Sequence, residues 1–438
     1  MMDSSKLPCL KLFALLFIVM SVGMQVRAAT DHKFMLVLLD GLRYDLFGAD
    51  MPNLAKIAAE GVKANQSYPI FPTKSIPSMY SIATGLYAES HGAVRNYYYN
   101  TRTGEIYDYA KTCNTSEWFD TGAEPIWVTA HFEGMSTGTY MYPGGSAEIK
   151  GVRPDRDVAN TEWRWYNLGF RERIDGALAW LREDDLDVTM LYYGQLDTVL
   201  HETGMDSPQT AEKLREIDEG VGYLLEELEK DGFLERMNII FTSDHGHTTA
   251  TEGIRIWNYI SEDDVEFYLY PNGPFGALQP KAETMDKVYQ QLKGAHPQLK
   301  VYRKDEIPDH YHYRDSERIL DILVEANPPW FVIMSNSSNT TDVTIHGYDY
   351  MHWESQSIFY GYGPRFKGGY ERGPFQSVNI YPLMCELLGL VPAPNNGSLD
   401  NVRDLLIDVS GCTPTRTTMT IYHLAAVVLT MTVMAVKI

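Results

Sequence analysis

Cysteine is scarce in this chain, with four among 438 residues: Cys9, Cys113, Cys385 and Cys412. A disulfide framework is thereby excluded, and the body must be held by its core. Positive charge is also in short supply. The 37 Lys and Arg are outnumbered by 58 Asp and Glu, for a formal net charge of −21. No basic surface can then release counterions from a polyanion, which excludes a nucleic acid polymer as partner. A small phosphate compound stays open, because bound metal can invert the local field. Internal repeats and low-complexity stretches are absent, so neither a solenoid nor a disordered array is in question.

Apolar runs occur at both ends, and both are short for a bilayer span. Lys6 and Lys11 precede the run Leu12 to Met20, and Val26-Arg27-Ala28 offers a cleavage site. Residues 1–28 therefore read as a signal peptide, with a membrane anchor as the weaker alternative. At the other end, Ser410, Gly411 and Cys412 are followed by a polar spacer and the apolar stretch Ile421 to Val436. Residues 410–438 read as a GPI-attachment signal or a C-terminal transmembrane tail. Either way the body, residues 30–408, is expected at the cell surface on the extracellular face of the plasma membrane, with the C-terminal anchor as its link to the membrane. Sequons at Asn65, Asn114, Asn336, Asn339 and Asn396 agree with secretion. No obligate protein partner is marked.

What the body does contain is three apolar runs that end in acidic residues: Phe34 to Asp40, Val188 to Asp197 and Asn238 to Asp244. Continuous runs of this kind suit strands of a parallel sheet covered on both faces. Amphipathic helical segments alternate with them at Met51 to Glu60, Phe170 to Glu183 and Ser207 to Lys230. The expected class is α/β, a mostly parallel central sheet between helical layers. Residues 252–339, with shorter strands and Pro-rich turns, read as an inserted cap subdomain. The sheet is expected to resume near Ser357 to Tyr362.

In such folds reactive groups gather at the carboxyl ends of the strands, where Asp40, Asp197 and Asp244 stand. One Asp at a strand end is usually a turn former. Here two of the three carry histidines. Asp197 and His201 are four apart, on one face if a helical turn starts there. His245 follows Asp244 directly, and His346 supplies a further imidazole. Carboxylates with imidazoles suit zinc.

These segments, in this order, resemble the ectonucleotide pyrophosphatase/phosphodiesterase family of the alkaline phosphatase superfamily, in its short membrane-anchored form. The resemblance is carried by Leu38 to Arg43, Phe71 to Pro77, Ala83 to Gly92, Asn96, Pro125 to Trp127, Asp197 to His201, Ser243 to Gly246 and His346 to Asp349. It implies an alkaline-phosphatase-like fold and two Zn2+ ions. One would be held by Asp40, Asp244, His245 and the nucleophile, the other by Asp197, His201 and His346. Ser75, not Thr73, is the implied nucleophile, and Asn96 the amide that donates to a phosphate oxygen. Tyr142 and Tyr192 fall where family nucleotidases stack the base. Ser146 stands where nucleotide-cleaving members can have Asp, and Asn160 near an expected Tyr.

The implied activity is hydrolysis of nucleotide phosphodiester or pyrophosphate bonds, in NAD, dinucleoside polyphosphates or nucleotide esters, to 5′-monophosphates through a Ser75-bound intermediate. The alternatives are a choline or lysophospholipid phosphodiesterase of the same family and a catalytically silent surface homologue. A sulfatase is disfavoured, since Ser75 lies in no S-x-P-x-R context, Met79 standing in the Arg position, and the C-x-P-x-R run from Cys412 to Arg416 falls in the segment read as the anchor signal. His247 follows the Asp-His-Gly motif where Met is common in the family, and it reads as a neighbour of the site, not a ligand. His310 and His312 read as cap surface. Tyr97 to Tyr99 could flank the cleft or simply pack.

Overall fold

The three acid-ended runs form adjacent strands of one eight-stranded sheet. In the computed structural model, which describes residues 33–46, 51–112, 114–269, 272–335 and 343–408, its strands are β1 (Lys33–Leu39), β2 (Val62–Ala64), β3 (Thr137–Tyr140), β4 (Arg156–Val158), β5 (Val188–Tyr193), β6 (Met237–Thr242), β7 (Phe359–Tyr362) and β8 (Tyr370–Arg372). Their order across the sheet is β8-β2-β7-β6-β1-β5-β3-β4. The pairs β1–β5, β1–β6, β3–β5, β3–β4 and β2–β8 are parallel, while β7 runs antiparallel to both β6 and β2. Every residue of β1, β5 and β6 is buried. That is why these runs lack polar alternation: helices cover both faces.

The three expected helical segments form close to their limits as α1 (Pro52–Glu60), α3 (Phe170–Asp184) and α5 (Pro208–Lys230), and the structure adds α2 (Ser75–Thr84), α4 (Gln195–Thr203) and α6 (Ile380–Leu388). Helix α5 shows the local logic. The Ser207 hydroxyl accepts from Thr210 N, Pro208 opens the helix, and Ile217, Val221, Leu224 and Leu228 line one buried face. Helix α1 has no side-chain cap of its own. Asp218, buried in α5, takes that role from across the interface, accepting from Asn53 N at 3.0 Å and Leu54 N at 2.9 Å. Asp218→Ala leaves those donors buried without a partner and is expected to cost about 1–3 kcal/mol. A urea denaturation series reads the loss directly, and an unchanged midpoint would show that another group replaces the cap.

Residues 252–333 build a smaller layer. Strands at Val265–Tyr268, Phe275–Pro280, Leu299–Arg303 and Ile322–Ala326 pair antiparallel, and Glu252–Arg255 pairs with Trp330–Ile333. This layer has its own core of Ile254, Ile256, Val288, Leu292, Val324 and Met334. It meets the main body where Tyr311 stacks on Phe71 at 4.0 Å and Tyr313 Oη donates to Val94 O.

The terminal segments read as leader and anchor lie outside the described residues, as do Cys9, Cys113, Cys412, Asn336 and Asn339. Among the described residues no helix is long and apolar enough to cross a membrane. Cys385 is a buried free thiol.

Candidate metal and phosphate site

In-phase pairing brings the strand ends together. Leu39 of β1 is opposite Tyr193 of β5, and Leu38 is opposite Thr242 of β6. Asp40 therefore stands beside the turns that lead to Asp197 in α4 and to Asp244. Gly41 closes the first turn at φ 76°, where a Cβ would lie 3.2 Å from the Asp197 Cα. Gly41 N donates to Asp244 Oδ1 at 3.2 Å, and Leu42 N to Ser243 Oγ at 3.0 Å. Gly246 lets the Asp-His-Gly loop pass under residues 354–356, since a Cβ there would meet Glu354 O at 2.3 Å. The helical turn expected after β5 does form, and it puts His201 Nε2 3.5 Å from Asp197 Oδ1.

Two donor groups result. Asp40, Asp244 and His245 form one, all buried; Asp197, His201, His346 and His247 form the other. The stacked rings of His245 and His346, 3.6 Å apart at 15°, join them. Asp40 Oδ1 and Asp244 Oδ2 are buried with no hydrogen-bond partner, and each faces His245 Nε2, at 3.4 and 3.1 Å. Burial and the neighbouring Asp244 and Asp197 carboxylates push the Asp40 pKa well up, and burial pushes Asp244 up to about 7. Burial pulls His245 and His346 below the ordinary imidazole range. Unpaired carboxylate oxygens among uncharged imidazoles, out of water, are a donor set that wants a cation. The residues fit zinc.

The outer nitrogens agree. His201 Nδ1 bonds the Thr344 carbonyl at 2.7 Å, and His346 Nδ1 the Thr73 carbonyl at 2.9 Å. A carbonyl can only accept, so the ring proton is on Nδ1 and Nε2 is left for metal. Thr73 also donates to Tyr348 O and accepts from Gly347 N, both at 3.0 Å, which ties the serine loop to the His346 loop. Thr73 is thus a buried anchor of the two loops.

Ser75 opens α2, with its Oγ 3.3 Å from His245 Nε2. The first turn of a helix favours negative charge. Asn96 Oδ1 accepts from Ile76 N at 3.0 Å, which orients the amide and leaves its NH2 to donate.

Three residues stand otherwise than the sequence suggests. Tyr142 is 2 % exposed, its ring edge-on to Trp127 and its hydroxyl donated to Met79 O at 2.8 Å. Tyr192 is 1 % exposed and donates to Asp40 Oδ2 at 2.6 Å. Neither offers a face on which a base could stack; Tyr142 is core, and Tyr192 holds the Asp40 carboxylate. His247, expected outside the donor set, lies within it, its Nε2 2.8 Å from Asp197 Oδ1. No periodicity marks a lone His after such a motif.

The Ser146 hydroxyl is spent on Asp157 at 2.8 Å. The half-exposed His310 and the stacked pair His312–Tyr87 belong to neither donor group. Tyr98 stacks on Tyr107 and Tyr99 on Phe267, so this run packs.

Comparison with known proteins gives the family. The family described as Type I phosphodiesterase / nucleotide pyrophosphatase matches residues 34–349. The human ectonucleotide pyrophosphatase/phosphodiesterase family member 7 is 37% identical over 402 residues, covering 88% of this chain and 86% of its own. The human bis(5'-adenosyl)-triphosphatase is 34% identical over 384 residues, with 86% and 82% covered. The solved structure of murine ectonucleotide pyrophosphatase/phosphodiesterase 5, an inactive form in complex with AMP, superposes with a TM-score of 0.81 at 31% identity, over 86% of this chain and 100% of that one. With an α/β fold shared over that length and the strand-end donors in place, this chain is an enzyme of the ectonucleotide pyrophosphatase/phosphodiesterase family.

Proposed function

We propose that the chain is a two-zinc extracellular hydrolase that cleaves nucleotide phosphodiester or pyrophosphate bonds and releases 5′-monophosphates through a covalent Ser75 intermediate. The observation that carries this reading is Ser75 Oγ at the helix start, 3.3 Å from His245 Nε2, beside two buried carboxylate oxygens without partners. The AMP held by the murine relative supports a nucleotide substrate.

Zinc held by Asp40, Asp244, His245 and Ser75, and by Asp197, His201 and His346, would supply Lewis acidity that lowers the serine pKa and neutralises phosphoryl charge. Ser75 Oγ attacks phosphorus, the P–O bond to the leaving group breaks, and the serine's proton departs with the leaving-group oxygen. Water then cleaves the Ser75–phosphorus ester and restores the hydroxyl. Asn96, fixed by Ile76 N, is placed to donate to a phosphoryl oxygen. Tyr192 keeps the Asp40 carboxylate oriented throughout. The cell-surface location and the C-terminal anchor are part of the proposal, resting on the apolar ends of the sequence.

A choline or lysophospholipid phosphodiesterase is the second reading. It is favoured by one observation: both aromatic positions expected to stack a base are buried. Purified protein incubated with NAD and, separately, with glycerophosphocholine distinguishes the two. AMP released from NAD is the expected result, and turnover of glycerophosphocholine alone would transfer the assignment to the second reading.

A further inference from the structure

His247 follows the Asp-His pair of one donor group, yet its ring enters the other. It is fully buried. Its backbone is pinned by Arg43, whose Nη1 donates to His247 O at 2.6 Å, and by the bridge from Thr248 to Ile345. A Cβ on Gly41 would come 3.0 Å from His247 Nε2, so a side chain there would crowd the ring's approach to Asp197.

The ring nitrogens repeat the pattern of the other donors in the group. His201 and His346 each turn Nδ1 to a carbonyl and Nε2 to Asp197 Oδ1, at 3.5 and 3.6 Å. His247 turns Nδ1 to Thr344 Oγ1 at 3.1 Å and Nε2 to the same Asp197 Oδ1 at 2.8 Å. The Thr344 hydroxyl donates its hydrogen to Leu200 O at 2.7 Å. Its oxygen therefore accepts, and the proton of His247 sits on Nδ1. One threonine thus orients two imidazoles, His201 through its carbonyl and His247 through its hydroxyl. A bare Nε2 facing a carboxylate oxygen is a contact between two acceptors, and a shared cation resolves it. Zinc bonds of about 2.0–2.2 Å in a tetrahedral set place donor atoms roughly 3–3.6 Å apart. The spacings around Asp197 Oδ1 fall near that range.

We infer that His247 is a fourth protein ligand of the ion held by Asp197, His201 and His346, making a site of one carboxylate and three imidazoles. The inference rests on the two-metal reading above. It gives the chain a tighter grip on this ion than three ligands would, at a position where Met is common in the family. The other arrangement is an imidazolium whose Nε2–H donates to Asp197, with His247 outside the coordination sphere.

Two measurements on metal binding separate these arrangements. The first is a structure of the full wild-type protein crystallised with zinc, located by anomalous scattering. The expected result is an ion about 2.0–2.1 Å from His247 Nε2. The second is zinc titration of chelator-stripped protein against a chromophoric competitor, comparing wild type with His247→Met. One of the two sites is expected to weaken by about 10–100-fold in the variant while the other holds. Two bound ions with His247 Nε2 beyond bonding distance would overturn the inference and leave the two-metal reading intact. Failure of wild type to bind two ions would overturn both. A variant that does not fold leaves the wild-type structure to decide.

Discussion

Ser75→Ala should abolish phosphodiester hydrolysis, by roughly a thousandfold or more, since a covalent route has no substitute once its nucleophile is gone. The loss is expected without damage to the fold. The Ser75 hydroxyl contact is with His245 Nε2, at 3.3 Å, and α2 takes no side-chain cap from the preceding Lys74. Asp40, Asp244 and His245 still offer three donors, so zinc content should persist. The informative measurement is therefore paired: steady-state hydrolysis of a nucleotide ester and metal content on one preparation. Unchanged turnover with full metal would refute Ser75 as nucleophile. Lost turnover with lost metal would make it a structural ligand first.

Stripping the metal is expected to remove activity and to give stability a new dependence on pH. Asp40 and Asp244 have folded-state pKa values raised above the ordinary carboxylate value of 3.8, Asp244 to about 7, with burial as the largest cause. A raised carboxyl pKa means that the folded chain binds protons the unfolded chain has released. Its stabilising contribution is full below the unfolded value and is lost as pH rises through the folded one. Below about pH 6.5 the buried His245, His346 and His247, with lowered pKa values, act in the opposite sense, so metal-free protein should melt at progressively lower temperature from about pH 6.5 to about pH 8. Zinc should flatten that slope, because the carboxylates then face a cation. At a hundredfold excess over Kd each ion adds about 2.7 kcal/mol. Melting curves across that pH range, with and without chelator, test this; curves that superimpose would rule out a metal at Asp40 and Asp244. Asp244→Asn should flatten the metal-free slope while abolishing activity.

The parts of this site that were legible in the sequence share a physical cause. β1, β5 and β6 are buried on both faces, so their apolar runs are unbroken, and the acid that ends each run is conspicuous. Asp197 and His201 are related by one helical turn, a spacing the sequence displays directly. The same burial hid the role of Tyr192. In a strand with no exposed face, alternation does not say which way a ring points, and this one points to Asp40. Tyr142 lies in an irregular segment after β3, and its partner Met79 O belongs to a distant helix. His247 was illegible for a similar reason: its two partners, Thr344 and Asp197, come from opposite sides of it in the chain. No local pattern encodes a contact that only the assembled sheet creates.

The order of the donors along the chain bears on how the enzyme is made. β1 pairs on one side with residues 188–193 and on the other with residues 237–242, and His346 follows after the whole smaller layer. Closing such separations is slow compared with local folding. No early fragment holds a complete donor set: the Asp40 group waits for Asp244 and His245, and the Asp197 group waits for His346. The two groups therefore complete at different times, the Asp40 group once His245 is made and the Asp197 group only with His346. A chain cut short between residues 245 and 346 would carry the Asp40 group entire and the Asp197 group one imidazole short, whatever the metal supply around it.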